Sequence, residues 1–225
     1  MRTNGLESSL LKYFFLLFLF VLLVSYCAPE QEADAVRWIT FEELAQSLEG
    51  QPAMSVGFDI DDTLLFSSPG FYYGREKYSP GNRTYSRLPE FWEEMNNGLD
   101  RFSLPKAIAR KLIELHQERG DTLYFITGRP PAKTETLTDL LGKTFGVENP
   151  NPVIFTGNSR AGNAKIEPLE VNGIKIFYGD SDGDIEAAQA VGARAIRVLR
   201  AGNSTSPPVP NPGHLGEEVL ADSEY

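Results

Sequence analysis

The chain has 225 residues and a formal net charge of −10, from 21 Lys and Arg against 31 Asp and Glu. That length suits one domain with an insertion and a core that is stable without staples. The acidic balance excludes a polyanion-binding surface, so polymeric nucleic acid is not an expected partner, whereas a few local cations suffice to hold a small phosphomonoester.

Residues 1–35 read as an export signal and leader. Arg2 and Lys12 flank the front of an uncharged apolar block, 13–24, that falls short of the roughly 20 residues of a membrane span; an uncleaved anchor is the alternative. Ala33-Asp34-Ala35 fits the small-x-small cleavage rule, and Tyr26 spoils a lipoprotein box before Cys27, the only cysteine. The domain that follows, 36–225, therefore has no disulfide. Thr40 and Glu43 form a capping box that opens a helix through Leu48. The apolar run 55–58 then empties into Asp59, Ile60, Asp61 and Asp62. Side chains on an extended segment alternate, so Asp59 and Asp61 lean to one side and share one site. A solvated acidic turn is the plain alternative.

Segment 66–104 is rich in Gly, Pro, Tyr and Asn without a sustained period, which predicts an irregular lid. Its Phe71 and Trp92 either pack the insertion or form an apolar slot over a site. A helix is expected at 105–119, with Ile108, Leu112 and Leu115 on one face and Pro105 at its start. The run 122–126 is the second strand, delivering Thr127, Gly128 and Arg129 to its end. A helix at 133–141 and a strand at 153–156 follow, and then a polar stretch ending in Lys165, which either swings over the site or stays an exposed loop lysine. The third acidic delivery comes at 174–178, which ends in Gly179, Asp180, Ser181, Asp182, Gly183 and Asp184 ahead of a helix at 184–191. A strand at 195–199 precedes a Pro- and Ser-dense arm at 203–212. Alternating strand and helix predict an α/β fold, a three-layer Rossmann-like parallel sheet. An EF-hand is excluded because Val191 stands where a bidentate Glu is required.

Acid, hydroxyl, lysine and acid in this order resemble the haloacid dehalogenase-like phosphotransferase superfamily. Phe58 to Thr63, Leu65 to Phe71, Phe91-Trp92-Glu93, Met95-Asn96-Asn97 and Phe177 to Asp182 narrow the resemblance to the bacterial class B acid phosphatases, over about 39–225. The resemblance implies that Asp59 is the nucleophile and Asp61 the general acid and base, with Asp59 ionised while Asp61 carries a proton. It also implies that Thr127 and the neighbouring amides bind phosphate and that Lys165 neutralises an oxygen. Arg129 stays open between phosphate contact and an ion pair. Carboxylates crowded around a dianion require a hard cation, and Mg²⁺ is expected on Asp59, the Asp61 carbonyl and Asp180, with Asp184 orienting its waters. Asp62 and Asp182 are expected to cap turns.

A periplasmic location and a homotetramer are further implications of the resemblance. One departure stands out: relatives tend to carry an aromatic after Asn-Ser-Thr, whereas Asn203-Ser204-Thr205 is followed by Ser206. Nucleoside monophosphates and aryl phosphates are the expected substrates. A phosphatase narrow for one sugar phosphate or nucleotide, or a non-catalytic binding protein, are the alternatives.

Overall fold

The computed structural model describes residues 35–157 and 162–225. The expected leader and Cys27 lie outside the described residues, as does the start of the polar stretch before Lys165. Val36–Tyr225 form one compact unit.

In chain order the elements are β1 (Arg37–Ile39), α1 (Phe41–Ser47), β2 (Ser55–Phe58), β3 (Leu65–Phe66), α2 (Ser68–Tyr78), a 3-10 turn (Thr84–Arg87), α3 (Pro89–Met95), a second 3-10 turn (Leu99–Phe102) and β4 (Leu104–Pro105). They continue with α4 (Ala107–Glu118), β5 (Thr122–Thr127), α5 (Leu137–Phe145), β6 (Ile154–Phe155), α6 (Ile166–Val171), β7 (Ile176–Gly179), α7 (Asp182–Ala190), β8 (Arg194–Val198) and β9 (Glu218–Leu220). Seven strands form one sheet in the order β1-β9-β8-β7-β2-β5-β6, and every pairing in it is parallel.

Alternation along the strands builds two cores. Val56 and Phe58, Leu123 and Phe125, Ile176 and Tyr178, and Ile196 and Val198 face a cluster closed by Leu44 of α1, Ile108 and Leu112 of α4, and Leu137 and Leu141 of α5. Ile126, Phe177 and Ala195 face the other side, covered by Leu169 of α6 and by Ile185, Ala187 and Ala188 of α7. Helices on both faces of one parallel sheet make three layers, as the strand and helix alternation implies.

The insertion is not irregular. Residues 66–104 form two helices and two 3-10 turns around their own core of Tyr85, Phe91, Met95 and Leu99. Glycine serves contact here: a Cβ on Gly74 would lie 2.1 Å from the Phe91 ring, so α2 and α3 touch where a side chain is missing. That use of Gly erased the apolar period by which a helix is read. The insertion is also stapled to the loop after β5. Asn96 Nδ2 donates to Pro130 O at 3.0 Å, Asn97 Nδ2 to Thr134 O at 2.7 Å, and Lys133 N to Glu93 Oε1 at 2.9 Å. Pro105 lies in β4 rather than at a helix start, since β4 pairs antiparallel with β3 to close the insertion at its base.

Candidate active site

β2 sits between β5 and β7, with Phe58 level with both Phe125 and Tyr178. Asp59, Thr127 and Asp180 therefore leave neighbouring strands at one edge. From β2 the sheet is continued by β5 and β6 on one side and by β7 and β8 on the other, the switch-point geometry where open α/β sheets hold ligands. A cavity of about 560 Å³ opens there, lined by Asp59, Asp61, Phe71, Trp92, Thr127, Gly128, Arg129, Lys165, Asp180 and Asp184. The structure thus brings together every residue singled out in the sequence as a site candidate.

Backbone geometry explains the gathering. Asp59 N donates to Tyr178 O at 2.8 Å, extending the β2–β7 ladder one residue beyond the strand. Gly179 allows α7 to dock, because a Cβ there would stand 2.2 Å from Asp184 Cβ. Ser181 rather than Asp182 caps α7, in a reciprocal box with Asp184. Lys165 precedes α6, and its amide donates to Asn163 Oδ1 at 3.0 Å.

The charges interlock. Lys165 Nζ donates to Asp59 Oδ1 and to Asp184 Oδ1, each at 2.5 Å, so it is no exposed loop lysine. Asp184 Oδ2 accepts from Ser181 N at 3.1 Å and Ser181 Oγ at 2.7 Å. Thr63 Oγ1 donates to Asp59 Oδ2 at 3.1 Å. Asp180 Oδ2 lies 2.5 Å from Arg200 Nε, and Asp62 Oδ2 accepts from Ser204 Oγ at 2.6 Å. Arg129 holds Asp61 with two bonds, Nε to Oδ2 at 2.8 Å and Nη2 to Oδ1 at 2.6 Å. Of its two open roles, the ion pair is the one present here.

Burial raises Asp59 well above the ordinary carboxylate range, against the pull of Lys165 and with Asp184 and Asp180 adding repulsion. Asp180 is pushed up to about 7, again by burial first, with Arg200 opposing and Asp184 adding to the rise. Burial also acts to raise Asp61, but the charge and hydrogen bonds of Arg129 outweigh it and leave its pKa lowered. Burial thus works against ionisation of Asp59 while Arg129 favours the ionised form of Asp61, directions opposite to those the resemblance implies, because Arg129 sits on Asp61 whereas Asp59 shares the Lys165 ammonium with Asp184.

Asp59, Asp180 and Asp184, all buried, each offer a carboxylate oxygen within 4.8 Å of the others. An all-oxygen set of three buried carboxylates fits a hard divalent cation.

Two relatives decide the family. A class B acid phosphatase of Salmonella arizonae is 53% identical over 196 residues, covering 86% of this chain and 83% of its own. One from Klebsiella pneumoniae is 52% identical over 196 residues, with the same coverage of each chain. Residues 25–207 match the family described as HAD superfamily, subfamily IIIB (acid phosphatase). The chain belongs to the class B acid phosphatases. It is therefore a phosphoric monoester hydrolase, acting on small phosphomonoesters. A crystal structure of phosphoserine phosphatase in apo form shares the fold, with a TM-score of 0.50 at 14% identity over 77% of this chain and 96% of that one.

Two charged groups of this phosphatase escaped the sequence reading. Arg200 follows β8, and a basic residue just past a strand's carboxyl end was a usable signal. Asp100 carried none, because its partner Arg129 lies 29 residues away and on another element. Arg200 and Ser206 also line the cavity, placing the arm after β8 at its rim.

Proposed function

We propose that the phosphatase is exported to the periplasm and hydrolyses nucleoside and aryl monophosphates with Mg²⁺, through an aspartyl-phosphate on Asp59. The cation would be held by Asp59, Asp180 and the Asp61 carbonyl, with Asp184 orienting its waters, and would neutralise phosphoryl oxygens so that a dianion can approach the carboxylates. The observation that carries the reading is the placement of Asp59 in the cavity with Lys165 on one oxygen and Thr63 on the other.

In the first step an Asp59 oxygen bonds to phosphorus, the ester P–O bond breaks, and a proton passes from Asp61 to the leaving oxygen. In the second, water attacks phosphorus and gives its proton to Asp61 as the Asp59–phosphorus bond breaks. An alcohol in place of the water would leave phosphorylated. Thr127 Oγ1 accepts the Arg129 amide at 3.2 Å, so its own proton is free for a phosphoryl oxygen. Lys165 neutralises a second oxygen and fixes Asp59. Phe71 and Trp92 supply the wall for a flat leaving group. Assembly as a homotetramer, with a leader removed before residue 36, completes the proposal.

Acid quenching during turnover, followed by mass spectrometry, tests the central step. One phosphoryl group is expected on the peptide bearing Asp59, and its absence during rapid turnover would overturn the covalent route. A panel of sugar phosphates, nucleotides and aryl phosphates separates a broad from a narrow enzyme. The N-terminal sequence of protein recovered from a periplasmic extract tests export.

A further inference from the structure

Arg129 lies between two carboxylates, and its side chain is 1% exposed. On the sheet side it makes its two bonds to Asp61. On the insertion side Nη1 donates to Asp100 Oδ2 at 2.6 Å and Nη2 to Asp100 Oδ1 at 3.0 Å. Asp100 comes from the second 3-10 turn, is itself 3% exposed at its side chain, and receives Ser103 Oγ on Oδ1 at 2.9 Å. Packing alone does not require a second buried carboxylate on an arginine already paired, because removing charge from water is costly.

We propose that Asp100 is a positioning residue for proton delivery by Asp61, acting through Arg129; the inference rests on the reading of Asp61 as proton donor. Both Asp61 oxygens are engaged by the guanidinium, so a proton reaches the leaving oxygen only if one of those contacts opens. Asp100 makes that opening tolerable. It keeps a two-point hold on Arg129, so the buried cation is neither left alone nor free to follow Asp61 toward the substrate. Without Asp100 the guanidinium has only Asp61 to satisfy it, and the donor is locked or misaimed. The insertion thereby supplies part of the catalytic apparatus, not only the wall of the pocket.

The test compares the Mg²⁺-loaded enzyme with Asp100→Asn, Ser103→Ala and Asp61→Asn on p-nitrophenyl phosphate, whose leaving group needs little protonation, and on glycerol phosphate, which needs much. Asp100→Asn is expected to lower kcat for glycerol phosphate about tenfold more than for p-nitrophenyl phosphate, with KM little changed, as partial loss of acid assistance worth roughly 10²–10⁴-fold. Ser103→Ala, which removes one contact to Asp100, is expected to show the same bias at smaller size. Equal losses on both substrates, or none, in Asp100→Asn would overturn the inference. If that variant does not fold, an unbiased Ser103→Ala does so instead. Asp61→Asn separates the two levels: a loss there without leaving-group bias means that the proton-donor reading fails, whereas a bias in Asp61→Asn alone means that only the role of Asp100 fails.

Discussion

The ammonium of Lys165 stands 2.5 Å from Asp59 Oδ1, joining residues 106 apart in the chain. Burial acts against this cation, but Asp184 and Asp59 outweigh it and raise the Lys165 pKa, so the group stays charged at any pH the enzyme meets. Replacing it with Met keeps the bulk and removes the charge. Lys165→Met is expected to lower kcat by about 10²-fold or more, the scale of a lost preorganised donor at a developing charge. Steady-state kinetics with a circular dichroism control check it, and wild-type kcat in a folded sample would refute the role.

Asp59→Asn is expected to abolish turnover with the fold retained, since the amide conserves volume but is no nucleophile. The same variant should yield no phosphorylated peptide after acid quenching. Near wild-type rates in a pure sample would sink the mechanism.

Metal removal gives a third outcome. Dialysis against EDTA should silence the enzyme and Mg²⁺ should restore it, while Asp180→Ala should raise the Mg²⁺ concentration for half-maximal rate, because carboxylates contacting the ion set its affinity. Titrating Mg²⁺ into the stripped protein by calorimetry checks the affinity directly. Activity that survives exhaustive chelation would rule the site out.

Trp92 has two attachments. Its Nε1 donates to Ser86 O at 2.8 Å and its ring meets Phe91 at 4.9 Å, yet it also lines the cavity. Trp92→Ala is therefore expected to lower the melting temperature and, in addition, to weaken aryl and nucleoside monophosphates about tenfold relative to glycerol phosphate, from a lost apolar contact of roughly 1–3 kcal/mol. Uniform losses across substrates would identify it as packing only.

His116 contributes an acid sensitivity to the fold. Tyr178, whose pKa burial drives up, keeps its proton and donates to His116 Nε2 at 2.9 Å, so neutral His116 donates from Nδ1 to Asp121 Oδ2 at 2.7 Å. Burial pulls the His116 pKa below its ordinary 6.5, against the opposing pull of Asp121. Below pH 6.5 the unfolded chain binds a proton there that the native state refuses, so stability falls as pH falls from 6.5 toward the native pKa. Asp121 adds a further loss at lower pH. Burial acts to raise its pKa, but His116, the Met54 amide and Arg119 hold it below 3.8. His116 should therefore pull the melting temperature down between pH 7 and pH 5, against the opposite contribution of Asp59 and Asp180, whose raised pKa values favour the native state as pH falls. His116→Gln should remove that downward pull while costing about 1–3 kcal/mol at neutrality from the disturbed network. An unchanged slope would assign the acid sensitivity elsewhere.

The three central strands were legible because each is a short apolar run that stops abruptly at Asp59, at Thr127 or at Gly179 and Asp180, the length and flanking residues of a strand covered on both faces. The capping box at Thr40 was legible for the same local reason. What failed to show were features decided by distant partners. β1 and β9 have three residues each and exist through pairing, β9 with β8 and β1 with β9. The helices of the insertion spend Gly70 and Gly74 on contact with Met95 and Phe91, which removes the apolar stripe. The hold on Asp61 depends on Arg129, whose two carboxylate partners come from separate elements.

Pairing β1 to β9 sets an order of assembly. β8 is covered at its outer edge by β9 and β9 by β1, so the first strand of the domain has nothing to dock on until residue 220 is available. A nascent chain that has emerged only as far as the arm at 203–212 carries β8 with a bare row of N–H and C=O groups, an invitation to pair with another chain. β9 closes that edge and β1 then pairs with β9, which joins the two most distant strands in the sequence, the slowest kind of contact to form. Shelter of the β8 edge, rather than strengthening of the core, is therefore expected to be the lever on recovery of folded enzyme.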